Sequence, residues 1–176
     1  MPVSEMVRPT HKAIRGYYEA LRQYTGQGVT NELALRPAFQ NLLTESAHLK
    51  KWTLVPEQGV KINGRIVYPD GTLRDQWQLP HGYWEAKDTA DDLDTEIRKK
   101  RERGYPFNNI LFEDTRQGVL FQHGSEAFRA DLGDPQQLAD LLNLFLGYAE
   151  PSIDSFEQAV AQFQERIPDL AQGLNE

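Results

Sequence analysis

Apolar positions recur at helical spacing near both ends of the chain and fall into short runs between turns in its middle. From Thr10 to Tyr24 they are Ile14, Tyr17, Tyr18, Leu21 and Tyr24, the stripe of an amphipathic helix that Gly26 and Gly28 end. A second stripe, Leu35, Phe39, Leu42 and Leu43, follows Thr30 and Asn31, either of which suits an N-cap, and Pro37 inside it predicts a kink or a restart. A charged helix is expected over 91–103. Its start is acidic (Asp91, Asp92, Asp94, Glu96) and its end basic (Arg98, Lys99, Lys100, Arg101, Arg103), the sense the helix dipole favours, and Gly104 suits its stop. Asp134-Pro135 opens a further helix carrying Leu138, Leu141, Leu142, Phe145 and Tyr148. Pro151-Ser152 restarts the chain into a last amphipathic helix with Phe156, Val160, Phe163 and Ile167.

The middle reads as strands. Val60 to Ile62 and Arg65 to Tyr68 flank Asn63-Gly64, a strong hairpin signal. Pro69-Asp70-Gly71 is the next expected turn, Thr72 to Leu79 the next strand, and Pro80-His81-Gly82 a turn into Tyr83 to Lys87. Asn109 to Phe112 and Gly118 to Gln122 supply two more strands. Helices, a strand meander, a helix, two strands and helices again predict an α/β or α+β sandwich.

Composition narrows the chemistry. The 176 residues contain no cysteine, which removes disulfide scaffolds, thiol nucleophiles, zinc ribbons and iron–sulfur clusters. Seven Tyr, eight Phe and three Trp supply a core despite a mean hydropathy of -0.62. No apolar run is long enough to span a membrane, and Met1 to Arg15 lacks the apolar stretch of an export signal, so a cytoplasmic protein is expected. Nineteen Lys and Arg against 26 Asp and Glu give a net charge of -7. Any contact with nucleic acid must therefore use a local basic patch. With no second His or Cys at ligand spacing from His81, no zinc or HNH site is expected, and phosphate loops and GxSxG elbows are absent.

One segment concentrates reactive groups: Tyr68 to Asp88, YPDGTLRDQWQLPHGYWEAKD. Strand alternation puts Glu85 and Lys87 on one face, with Trp84 and Ala86 on the other. A turn at Pro80 to Gly82 sets Asp75 opposite residue 86 or 87, and a one-residue bulge at Gly82 brings it to Glu85 and Lys87. Asp70, the rival first carboxylate, falls in that register opposite about residue 91, and the following Gly71 makes it an ordinary turn residue. Two adjacent carboxylates repel, and a hard divalent ion relieves the repulsion. Such an ion polarises a phosphoryl oxygen, and a lysine beside it stabilises charge developing there.

Asp75 with Glu85-Ala86-Lys87 across a hairpin resembles the PD-(D/E)xK nuclease signature. The wider string, with GYWEAKD, RGYPFNN and ILFED, is similar to the Mrr-like nuclease domain at the N-terminus of Type ISP and related single-chain restriction–modification enzymes. The resemblance covers about residues 10–125. It implies a restriction-endonuclease-like three-layer sandwich with a mixed central sheet and an αβββαβ core. It further implies a Mg2+-dependent DNA endonuclease, with Mn2+ able to substitute, acting on double-stranded DNA. Asp75, Glu85 and Lys87 would be catalytic, and the metal would be held by Asp75, Glu85 and the backbone carbonyl of Ala86, with Glu32 on the first core helix as a further ligand. The nuclease core is expected over 1–130 and a helical extension over 131–176, with helicase and methyltransferase domains in a longer polypeptide. Lys99, Lys100 and Arg103 are the expected DNA contacts. The rival reading is a silent nuclease-fold module that docks DNA or other domains.

Overall fold

The computed structural model describes residues 7–173, with side chains in the last helix described over 156–167. The outer ends of the two expected segments, and the start of the Met1 to Arg15 stretch, lie outside the described residues. Helix α1 (Lys12–Gly26) and helix α2 (Glu32–His48) come first. Asn31 caps α2 by accepting from the Ala34 amide at 3.0 Å, and the helix runs unbroken through Pro37 instead of restarting there. Strands β1 (Thr53–Pro56), β2 (Val60–Ile62), β3 (Arg65–Val67), β4 (Gly71–Arg74) and β5 (Pro80–Ala86) follow. Helix α3 (Leu93–Glu102) then leads to β6 (Asn109–Glu113), β7 (Gln117–Gln122) and β8 (Ser125–Asp131), and the chain ends in α4 (Pro135–Leu146) and α5 (Pro151–Gly173).

Six strands form one mixed sheet in the order β1-β4-β5-β6-β7-β8. The β5–β6 pair is parallel, with α3 in the connection between them, and the other pairs are antiparallel. Strands β2 and β3 pair separately around Asn63 and Gly64, whose φ values of 47° and 80° fit the mirror-image turn such a sequence favours. Strands β1 and β8 carry weak sequence signals and were not expected.

Alternation along the central strands separates two apolar layers. Trp84, Ala86, Leu111 and Leu120 face Phe39, Leu42 and Leu43 of α2, Ile14 and Tyr17 of α1 and Leu138 to Phe145 of α4. Tyr83, Ile110, Phe112, Val119 and Phe121 face Leu93 and Ile97 of α3. The result is a three-layer α/β sandwich with a mixed central sheet, of the restriction-endonuclease-like class. Helix α4 shares the main core with the sheet, whereas Phe156, Phe163 and Ile167 on α5 stay exposed.

The hairpin β4–β5 differs from its expected register, and the difference decides where the carboxylates go. Gly71 pairs with Trp84, Thr72 with Tyr83 and Leu73 with Gly82. Asp70 therefore lies across from Glu85, not from residue 91, and Asp75 falls in the turn instead of opposite residue 86 or 87. Three residues that read as turn formers serve packing. A Cβ at Gly71 would sit 2.7 Å from Leu54 Cδ1 and 2.9 Å from Trp84 Cε3. One at Gly82 would sit 2.8 Å from both Asn109 Nδ2 and Phe145 Cε2. Pro80 occupies the first position of its strand, where the missing N–H is tolerated. The turn itself is built by Asp75, whose Oδ1 accepts from the Trp77 and Leu79 amides at 2.9 and 3.1 Å.

Candidate active site

Glu85 and Lys87 leave the end of β5 on the face that α3 covers. Glu85 is nearly enclosed, its side chain 2% exposed, and two ammonium groups meet its Oε2: Lys87 Nζ at 3.6 Å and Lys100 Nζ at 3.3 Å. Its other oxygen, Oε1, is buried without a hydrogen-bond partner. Asp70 joins this group from the opposite strand. Its Oδ2 accepts from the Ala86 amide at 2.8 Å, and its Oδ1 pairs with Arg36 of α2 at 2.9 Å.

The electrostatics show carboxylates held close enough to resist ionisation. Burial, reinforced by the charge of Asp70, raises the Glu85 pKa to about 7 against the pull of Lys100 and Lys87. Burial likewise raises Glu32 at the start of α2, with Asp70 adding to the shift while Lys87 and Arg36 oppose it. Glu113, at the end of β6, is pushed up to about 8 by burial, against hydrogen bonds from the Thr115 amide and the Trp84 indole. Lys100 is half-buried, which disfavours its charge, yet Glu85 and the Tyr105 hydroxyl outweigh burial and raise its pKa.

The structure thus brings together Glu85, Lys87 and Asp70, with Glu32 within their field. Asp75 is not among them. It sits at the far end of the hairpin, its Oδ2 2.8 Å from His81 Nε2, and bonds from His81, Leu79 and Trp77 outweigh burial to hold its carboxyl below the ordinary range. The one-residue irregularity expected at Gly82 falls beside it, with Leu73 opposite Gly82 and Arg74 opposite Pro80, but it leaves Asp75 in the turn and does not bring it to Glu85. Ala86 packs its side chain into the main core and offers its backbone to Asp70.

The expected basic patch is also redistributed. Lys99 is exposed and paired with Glu96 at 2.9 Å, and Arg103 is exposed at the C-cap of α3. Lys100 instead turns inward, 12% exposed, and belongs to the carboxylate cluster. A signal for this was present: Leu93, Ile97 and Lys100 fall at i, i+4 and i+7, so Lys100 continues the buried stripe of its helix. Arg36 was overlooked although it stands one turn from Glu32 on α2. Glu113 closes an apolar strand run and carried no signal beyond that.

A second cluster lies at the turn end. Asp75, His81 and Glu157 of α5 each offer a ligand atom, all within 4.8 Å of one another, so these three residues could hold a metal ion.

No protein-family model matches the sequence, and no curated protein sequence does. Among solved structures, 92% of the chain superposes on part of a chain in the cryo-EM structure of a DrdV–DNA complex, with 42% sequence identity and a TM-score of 0.78. The matched part is 16% of that chain's length. A candidate nuclease belonging to DUF820 from Anabaena variabilis gives a TM-score of 0.39 at 10% identity over 57% of this chain and 75% of its own, an overlap too small to carry an argument. No helix among the described residues is long and apolar enough to cross a membrane.

Proposed function

We propose that the chain is the metal-dependent endonuclease part of a restriction–modification enzyme, hydrolysing phosphodiester bonds in double-stranded DNA. The observation that carries this reading is the convergence of Asp70 with Glu85 and Lys87 at the mouth of the β4–β5 hairpin, around a Glu85 oxygen that lacks a protein partner. Asp70 takes the part that the sequence suggested for Asp75.

A hard divalent ion fits the donor set. Glu85 Oε1 and Asp70 would supply oxygen ligands, with the backbone carbonyl of Ala86 next to Glu85 in sequence and Glu32 close enough to feel the charge of Asp70. When bound, Mg2+ or Mn2+ supplies positive charge that polarises a phosphoryl oxygen and favours hydroxide over water. The chain's own groups do the rest. Lys87, 14% exposed, holds its ammonium at the rim of the cluster, where it can orient an attacking water and stabilise charge on the phosphate. Lys100 fixes Glu85 Oε2 from the α3 side and leaves Oε1 to face the ligand. Water's oxygen bonds to phosphorus, one bridging P–O bond breaks, and the leaving oxygen takes up a proton, giving a phosphate monoester and a hydroxyl.

The similarity to a chain from a DNA complex supports the nucleic-acid partner. That similarity spans about a sixth of the other chain's length, which fits a module of a larger protein; helicase and methyltransferase domains in that larger protein are part of the proposal. In this reading residues 1–130 hold the site, and 131–176 pack on the core through α4 and lead on toward those domains through α5. Nicking of supercoiled plasmid tests it: cleavage with Mg2+ or Mn2+, abolished by EDTA, is the expected result. Metal-independent cleavage, or none with either ion, would refute it.

A further inference from the structure

We propose that Asp75, His81 and Glu157 form a second metal site, specific for a divalent transition ion such as Zn2+, that clamps helix α5 to the β4–β5 hairpin. The inference is independent of the nuclease reading. Its ligands come from three places: the hairpin turn, the buried second residue of β5, and the second turn of α5. His81 Nε2 stands 2.8 Å from Asp75 Oδ2 and 3.9 Å from Glu157 Oε1. Ligands about 2.1 Å from a metal lie about 3.0 to 3.4 Å apart in octahedral or tetrahedral geometry, so small side-chain rotations convert these spacings into a coordination shell.

The groups are held in place for this. Both the Asp75 and His81 side chains are 6% exposed. The Trp77 and Leu79 amides occupy Asp75 Oδ1, which leaves Oδ2 to face the histidine. The imidazole is stacked on Trp52, centroids 4.1 Å apart and planes 15° from parallel. Beside the cluster opens a cleft of about 480 Å³, lined by Lys50, Lys51, Trp77 and Tyr148 among others, with room for water to complete the shell. Lys50 is drawn over the Trp52 ring, 5.7 Å from its centroid.

An imidazole with two carboxylates favours a borderline ion over Mg2+, which prefers oxygen ligands alone. A rule that looks for paired His or Cys in sequence cannot find such a site, because two ligands are carboxylates and one of them, Glu157, lies far along the chain from the histidine. The ion would fasten α5, where among the described residues Phe156 also packs against Trp77 of the hairpin turn with ring centroids 6.3 Å apart.

The test is calorimetric titration of Zn2+ into tag-free Glu85→Gln protein, in which the other cluster has lost a charged ligand. One Zn2+ per chain is expected, with Mg2+ failing to compete at a hundredfold excess. His81→Phe keeps the stack on Trp52 and should weaken Zn2+ binding at least tenfold; Glu157→Gln, at the half-exposed ligand, should do the same if His81→Phe does not fold. Protease resistance of α5 should rise with Zn2+ in the parent and stay unchanged in either variant. Absence of Zn2+ binding, or binding that both substitutions leave intact, would overturn the assignment.

Discussion

The two ends of the β4–β5 hairpin carry the same kinds of residue and do opposite things with them. At the open end, Glu85 is buried beside Asp70, its own ionisation is resisted, and one of its oxygens has no protein partner. At the turn end, Asp75 is fully engaged by two amides and an imidazole, and its charge is favoured. The first arrangement leaves a buried oxygen without a protein donor; the second commits Oδ1 to the turn and Oδ2 to His81. A carboxylate's chemistry is therefore set by what its neighbours donate, and identity alone separates the two poorly.

Activity offers the largest contrast. Asp70→Asn, Glu85→Gln and Lys87→Ala are each expected to reduce plasmid cleavage by about 10³-fold, the scale of losing one group that stabilises a transition state. Asp75→Asn, which keeps an acceptor for the turn, should stay within about threefold of the parent. Equal losses at Asp70 and Asp75 would erase the distinction between the two ends.

Stability should reverse the order. Asp75→Ala removes the acceptor for two amides and the partner of His81, and should cost about 2 to 3 kcal/mol in urea unfolding. Glu85→Gln removes a buried charge, so without metal it should unfold no earlier than the parent at pH 8.

The pH dependence sharpens the same point. Glu85 and Glu113 have folded-state pKa values of about 7 and about 8, above the ordinary glutamate value of 4.5. The native state therefore binds more protons than the unfolded chain between these limits. Metal-free stability is fullest below about pH 4.5 for these two groups and is lost as pH rises through 7 and 8. Glu85→Gln should remove its share of that decline up to pH about 7 and Glu113→Gln its share up to pH about 8, read from urea midpoints across pH 5 to 9. Metal affinity should run the other way, rising about tenfold per pH unit up to pH about 7 as Glu85 gives up its proton.

The smallest effect concerns DNA. With Lys100 turned inward, the exposed residues of the expected patch are Lys99 and Arg103. Reversing both to Glu should lower the slope of log affinity against log salt by about 2 at most, on every sequence alike. A larger drop, or one confined to particular sequences, would place recognition on α3.

Much of the architecture was legible because it rests on periodicity. The stripes of α1, α2 and α4, the Asn31 and Asp134 caps and the Asn63-Gly64 hairpin all follow from local chemistry. The Glu85 and Lys87 pairing follows from alternation, which survives an error in register. The partner carboxylate did not, because register depends on where the turn lies. Proline and glycine at 80, 82 and 71 marked a strand start and two close approaches, while the turn was made by an aspartate side chain and by Gln78 at a φ of 65°. A glycine required by Leu54 and Trp84 looks in sequence like a glycine required by a bend. Long-range contacts such as Arg36 to Asp70 leave even less trace.

That contact gives the carboxylate cluster a counter-ion of its own. Arg36 bridges Asp70 Oδ1 at 2.9 Å and Glu57 at 3.0 Å, so its guanidinium already neutralises the carboxylate proposed to bind metal. A divalent ion held by Asp70 Oδ1 would have to share or displace that guanidinium, so Arg36 would lower the apparent affinity of the cluster and tie its occupancy to α2, the helix that carries Arg36.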